Sequence, residues 1–257
     1  MNDGYAELEF DLPSALLRDI VALLDGMNAA ELTSVNLTRV TDAPGVYALI
    51  SGATGELLYI GKAESSKGLL NRLTRHMRKL DGRQNINPGD IHFKAVRIFV
   101  FAAMDLEAAL IAHYGGDRKL PWNHSGFGSN DPGQQRDTTT YKQDHFDTQH
   151  PIRLDDCFVE FKVGKRPVAE VMQHLKDGLP YLLRFQRPNA GSRNSFEPDF
   201  ETNEVDIQRP DMTTREVLRL CIAALPPGWH ATALPSHVIC YKDDDRRFPS
   251  GTLIARS

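Results

Sequence analysis

This sequence predicts an α+β protein: a small central antiparallel sheet of three strands flanked by helices, followed by a C-terminal α+β extension. Three observations carry that expectation. Two short runs of alternating aromatic and aliphatic residues, 45–50 and 57–62, are joined by Ser51-Gly52-Ala53-Thr54-Gly55, a composition suited to a turn between antiparallel neighbours. Helix-spaced apolar residues precede and follow that pair. Beyond about residue 154 the chain returns to short mixed elements with a weak internal repeat.

The elements follow in order. Residues 13–27 predict an amphipathic helix, with Leu16, Leu17, Ile20, Leu23 and Leu24 at helical spacing. The hairpin strands come next, then a basic helix over 67–80, a third strand over 93–102, and a helix over 104–114 closed by Gly115-Gly116. Residues 116–151 show little apolar periodicity and many Gly, Asn, Asp and Gln, which predicts a long ordered loop. Loops of that length inside a compact domain are usually functional or disordered. In the C-terminal region Arg166-Pro167, Glu170-Val171 and Leu179-Pro180 are echoed by Arg209-Pro210, Glu216-Val217 and Leu225-Pro226. In both copies the glutamate precedes the second proline by ten residues. Each copy predicts strand, helix, strand, the first over 158–163, 168–176 and 181–186, and the polar stretch 187–204 between the copies reads as an exposed linker. The expected organisation is an N-terminal helical arm (1–40), a sheet domain with its long loop (41–152), and a C-terminal region (153–257) serving dimerisation or enlarging a clamp.

A chain of 257 residues, 41% hydrophobic, can bury a proper core. No apolar run approaches the eighteen or so residues of a membrane span, and the first residues lack a basic start followed by an apolar core, so a cytoplasmic protein without a membrane partner is expected. Cys157, Cys221 and Cys240 are odd in number, widely spaced and set among apolar residues, which predicts buried reduced thiols and no structural metal. The net charge of −4 conceals a local excess: Lys62, Lys67, Arg72, Arg75, Arg78, Lys79 and Arg83 stand against Glu64 and Asp81. Such a stripe fits phosphate contacts; taken alone it also fits a solvated helix face.

Chemistry-bearing residues cluster in the same stretch. Gly45-Val46-Tyr47 and Tyr59-Ile60-Gly61 put two phenols on adjacent strands, where they share a face if the hairpin register permits. Arg72 and His76, four apart on the basic helix, share a side. Glu107, in the first turn of its helix beside Leu106, Leu110 and Ile111, is either a helix-start residue stabilised by the dipole or a metal ligand. A phenol can activate water, a guanidinium can hold phosphate charge and a carboxylate can hold a divalent metal.

In their order, Tyr47, Tyr59, Lys62, Arg72, His76, Glu107 and Asn123 resemble the GIY-YIG nuclease superfamily, with Val46 in place of the isoleucine of its name. The segments Pro121-Trp122-Asn123, Gly126-Phe127-Gly128, Asn130-Asp131-Pro132-Gly133, Asp147 and His150-Pro151 are similar to its type II restriction endonuclease branch, cutters of a GC-rich CCGCGG-like palindrome. The resemblance covers about residues 30 to 152. It implies Mg²⁺-dependent, sequence-specific hydrolysis of double-stranded DNA by a homodimer or tetramer, with a cognate DNA methyltransferase in the same system. Tyr47 is then the general base, its pKa lowered by nearby cations such as Lys62, while Tyr59 orients water or phosphate. Arg72 holds the non-bridging oxygens, His76 assists the water or contacts phosphate, Glu107 binds the Mg²⁺, and Asn123 fixes the arrangement. Lys67, Arg75, Arg78 and Lys79 are the expected phosphate contacts. Asn130, Gln134, Gln135 and Arg136 are the candidates to read bases, with loop solvation as their alternative. A repair or structure-specific nuclease would use the same catalytic residues, and a noncatalytic DNA-binding protein could keep the scaffold.

Overall fold

A computed structural model describes residues 4, 11–64, 66–99, 106–116, 118–128, 133–188, 195–242 and 246–257, with the side chains of 133 and 134 excepted. The described chain is a mixed α+β protein with antiparallel sheets and several helices, grouped into two compact units. One comprises the chain up to Met77 with Asn87–His124; the other comprises Arg78–Ile86 with Ser125–Ser257. Residues 125–152, assigned from the sequence to the sheet domain, thus group with the C-terminal residues.

The first unit begins with helix α1 (Leu12–Gly26), capped by the Asp11 side chain on the Ser14 amide. A two-residue strand β1 (Ala30–Glu31) and a single helical turn α2 (Ser34–Leu37) precede the hairpin β2 (Gly45–Ser51) and β3 (Leu57–Ala63). Helix α3 (Leu69–Leu80), strand β4 (Ile91–Arg97) and helix α4 (Leu106–Gly115) follow. The strands form one antiparallel sheet in the order β1-β4-β2-β3, so the expected three strands gain a short fourth at the β4 edge. Only two pairs, Ala30 with Phe93 and Glu31 with His92, define β1, too few to leave a periodic signal. The third strand was expected over 93–102. It begins instead at Ile91, after the Pro88–Asp90 turn, and ends at Arg97; residues 100–102 lie outside the described residues.

Register sorts the side chains of this sheet. Tyr47 pairs with Gly61 and Ala95, and Leu49 with Tyr59 and Phe93, so these residues share one face. Val46, Ala48, Ile60 and Lys62 lie on the other. Val46 and Ile60 pack there with Ile20, Leu24, Leu106 and Leu110 from α1 and α4, and each fully buried aliphatic contributes roughly 1.5–3 kcal/mol.

In the second unit the glycine- and asparagine-rich stretch is mostly turns, with a 3-10 turn at Gly133–Arg136 and helix α5 (Phe146–Gln149). Phe127 and Phe146 are fully buried there, ring centroids 4.7 Å apart. Strand β5 (Gly164–Pro167), helix α6 (Val168–Gly178) and strand β6 (Leu182–Phe185) form the first half of the repeat. Helix α7 (Pro198–Thr202) leads into the second half, β7 (Glu204–Ile207), α8 (Thr214–Ala223) and β8 (Trp229–Ala233), with β9 (His237–Lys242) and β10 (Thr252–Arg256) completing the unit. β5 pairs with β7, and the remaining strands form a sheet in the order β10-β8-β9-β6. The repeat has a physical counterpart, because its arginine and glutamate pair in both copies: Arg166 with Glu170 at 3.0 Å and Arg209 with Glu216 at 2.6 Å.

Three expectations for this region are corrected. Residues 158–163 form no strand: Val159 and Phe161 bury while Glu160 and Lys162 stay exposed, but the only turn or loop backbone bond from this stretch runs from the Phe161 amide to the Pro210 carbonyl. The polar stretch 187–204 is no plain linker, because Phe200 of α7 is fully buried 4.7 Å from the Trp229 ring, and the Trp229 indole donates to Asp199 at 2.8 Å. Cys157 is exposed, whereas Cys221 and Cys240 are buried free thiols as expected. Burial pushes the Cys221 thiol up to about 12.

Candidate functional site

The two glycines of the hairpin make the site possible. Gly45 lies so close to the Val96 carbonyl that any side chain would collide with backbone. A methyl group on Gly61 would stand 2.5 Å from the Tyr47 hydroxyl oxygen and 2.8 Å from the Tyr59 ring. The absent side chain of Gly61 leaves the tyrosines room to lie over the sheet, ring centroids 6.1 Å apart, while that of Gly45 lets β2 lie against β4 and α3.

Helix α3 supplies the next groups. Its inward stripe is Leu69, Leu73, His76 and Leu80, so an imidazole occupies a position that helical periodicity reserves for the core. His76 is 2% exposed, and its Nε2 meets the Tyr47 hydroxyl at 2.7 Å, with both rings 5.5 Å from it between centroids on the Tyr47 and Tyr59 sides. A buried imidazole without such a bond would be costly. Arg72, one turn earlier, keeps a buried Nε that has no hydrogen-bond partner among the described residues.

Electrostatics tie the set together. Burial pushes the Tyr47 phenol well above its usual range, Tyr59 and Glu107 push it further, and Arg72 opposes them. Tyr59 is raised by burial and Glu107 and lowered by Arg72 and Arg75. The charges of Arg72 and Glu107 are therefore felt by both phenols. The direction for Tyr47 reverses the expectation that cations would lower it, because desolvation outweighs them. Lys62 lies one register position out of phase with Tyr47, on the Val46 face, and approaches Glu64 at 3.9 Å.

Asn123 grips the edge of the sheet. Its side-chain oxygen accepts the Ile60 amide and its amide donates to the Ile60 carbonyl, both at 2.9 Å, while the Trp122 amide donates to the Leu58 carbonyl. Residues 122–123 thus imitate a further strand beside Tyr59 and hold it in place.

No family model and no curated protein matches this chain.

The basic stripe does not act as one surface. Lys67 and Arg78 are exposed and Arg75 is half-buried near Tyr59. Lys79, expected on phosphate, donates instead to the Gly126 and Phe127 carbonyls at 3.2 and 2.6 Å and lies 5.1 Å from the Phe127 and Phe146 ring centroids. Arg83 is buried on the Lys79, His150 and Pro235 carbonyls and 3.0 Å from Asp147. Arg136, expected to read bases, is buried too, bonded to Asp147 and, at 2.6 Å, to the Tyr141 hydroxyl. Burial alone would raise the Asp147 carboxyl, but Lys79, Arg83 and Arg136 hold it below its usual range. Gln135 is exposed, the Gln134 side chain is not described and Asn130 lies outside the described residues.

Sequence reasoning missed a second buried carboxylate. Asp137 receives Arg184 at 2.5 Å, His237 at 2.7 Å and Tyr241 at 2.8 Å. Ser236 then bonds the other nitrogen of His237 at 2.8 Å. Adjacent Arg136-Asp137 and Ser236-His237 were the available signals, but the partners of Asp137 lie 47, 100 and 104 residues away.

Among the described residues no group of three or more His, Cys, Asp or Glu is placed to hold a metal. Glu107, whose charge acts on both phenols, is a single carboxylate, so a Mg²⁺ held there would need waters and a substrate phosphate to complete its shell. No helix of the described residues is long and apolar enough to cross a membrane.

Proposed function

We propose that this protein is a Mg²⁺-dependent, sequence-specific endonuclease of double-stranded DNA, of the GIY-YIG kind and its type II restriction branch. The observation that carries the reading is the 2.7 Å bond between the Tyr47 hydroxyl and His76 Nε2, with the charges of Arg72 and Glu107 both acting on that phenol. A buried tyrosine bonded to a buried histidine beside an arginine with an unused N–H is hard to account for by packing alone.

Because burial keeps Tyr47 protonated, its role is that of a relay rather than a standing phenolate. The Tyr47 oxygen accepts a proton from the attacking water as its own passes to His76 Nε2, so the base is the pair. Tyr59, 6.1 Å away between ring centroids, orients the water or the phosphate. Arg72 would hold the non-bridging oxygens, where charge builds up in the transition state, with its guanidinium fork. Glu107 would hold the Mg²⁺, which when bound neutralises charge on the leaving oxygen. Asn123 keeps β3, and so Tyr59, in register.

A palindromic target calls for two copies of the chain, one per strand, and a host carrying the enzyme needs a protecting methyltransferase. With Arg136 committed to Asp147, readout falls to Asn130, Gln134 and Gln135. Unmethylated plasmid digested with the purified protein and Mg²⁺, followed by sequencing of the ends, tests the reading. Discrete fragments with common termini are expected. Nicking governed by structure rather than sequence would favour a repair enzyme, and intact plasmid with a shifted band would favour a noncatalytic binder.

A further inference from the structure

Beside the tyrosines, at the stretch of the β4 edge that β1 leaves uncovered, lies a pocket of about 280 Å³. Its lining includes Arg39, Lys94, Arg97, Asn28, Phe93 and Asn36, whose side-chain amide donates to the Glu31 carbonyl, and no carboxylate is among its lining residues. Neither Arg39 nor Arg97 has an ion-pair partner among the described residues. The Arg97 guanidinium lies 4.3 Å from the ring centroid of Phe99, itself 82% exposed, which gives the fork a fixed support. Lys94 donates to the Leu24 carbonyl at 2.7 Å, so it contributes charge from a fixed point.

Three cations and two amides around one cavity, uncompensated by acid, form a site for an anion. Its position says which. Ala95 in the wall pairs with Tyr47, Arg97 pairs with Gly45, and Leu69 in the wall opens the helix that carries Arg72 and His76. The pocket therefore flanks the Tyr47 site on its β4 side, beyond β4, which itself lies one strand spacing, ~4.8 Å, from β2. We infer that this pocket holds a backbone phosphate of the DNA flanking the linkage that is cut, with Arg39 and Arg97 as its ligands. The inference rests on the nuclease reading and adds to it a contact that no sequence motif marks: Arg39 and Arg97 stand outside the basic stripe, fifty-odd residues apart.

The test is the binding of a fluorescent duplex to the full chain without metal, followed by anisotropy across a salt series. Arg39→Gln/Arg97→Gln is compared with wild type and with Arg18→Gln/Arg256→Gln, which removes equal charge from exposed residues that do not line the pocket. Loss of two phosphate contacts is expected to make the slope of log affinity against log salt shallower by about 2 and to weaken binding about tenfold at low salt. The control should stay within about twofold of wild type, and far-ultraviolet circular dichroism should show both variants folded. Equal losses in the two double variants, or none in the pocket variant while wild type binds, would overturn the inference and leave the nuclease reading standing. Failure of wild type to bind any duplex would overturn both.

Discussion

Asp147→Asn removes a negative charge from a fully buried position while leaving two guanidinium groups, Arg83 with 5% and Arg136 with 11% side-chain exposure, facing each other across it. Breaking a buried pair from one side costs about 3–5 kcal/mol, because the remaining charge has no compensation. Here two charges lose their partner, and the Lys79 ammonium acting on the same carboxylate adds a third. Unfolding entropy of about 2.1 cal/mol/K per residue gives roughly 0.3 kcal/mol/K for the ~140 residues of the second unit. The melting temperature should therefore fall by about 10–17 °C, read by calorimetry at neutral pH. The pH dependence carries the same argument with a definite sign. The folded Asp147 carboxyl lies below its unfolded value, so its stabilisation is complete above the unfolded pKa of about 3.9 and is lost as pH falls through the folded value. Wild type should lose stability steeply below about pH 4, and Asp147→Asn should lose less there. A change under about 1 kcal/mol, the size of a surface ion pair, with an unaltered acid limb, would refute the idea that Asp147 ties the three cations into the fold.

Three further outcomes are expected. Gly61→Ala should destabilise by about 1–3 kcal/mol in urea unfolding, since the added methyl meets Tyr47 and Tyr59, and should suppress DNA cleavage by displacing the phenols. Asn123→Ala leaves the Ile60 amide and carbonyl without their side-chain partner, and a loss of about 2–4 kcal/mol should register in the same titration. Of the three cysteines, Cys157 alone should react with a thiol reagent in the native protein, the other two only on unfolding; fast labelling of two or three would show that the buried thiols are open.

How much of this was readable beforehand depends on the range of the interactions. The hairpin, α3 and α4 were legible because strand alternation, turn residues and helical spacing are local; Gly61 reflects contacts within the hairpin, whereas Gly45 answers to Val96 of β4 and Leu69 of α3. His76 is marked in the sequence by its four-residue spacing to Arg72 and by the resemblance; that it interrupts the apolar stripe of α3 emerges only in the structure. The fates of Lys79, Arg83 and Arg136 were not. Charge counting puts Lys79 and Arg83 in one basic stripe with Arg72, yet Lys79 bonds to carbonyls 47 and 48 residues on and Arg83 to one 152 residues on. Nothing local distinguishes a lysine that will meet phosphate from one that will cap a carbonyl. Residues 158–163 alternate in burial as a strand would, Val159 and Phe161 in and Glu160 and Lys162 out, but a strand also needs a neighbouring ladder, which tertiary structure did not supply. The rise in the Tyr47 pKa was hidden likewise, since desolvation depends on what covers the ring.

On the proposed function, Tyr47, His76, Arg72 and Glu107 act as one hydrolytic unit. Single-turnover cleavage of duplex DNA with Mg²⁺, measured for wild type, Tyr47→Phe, Arg72→Ala and Glu107→Ala with DNA binding followed in parallel, tests it most directly. The account predicts cutting by wild type, losses of at least about a hundredfold in each variant, and binding that survives in all. Wild-type rates in any of the three, with the protein folded and Mg²⁺ present, would contradict it.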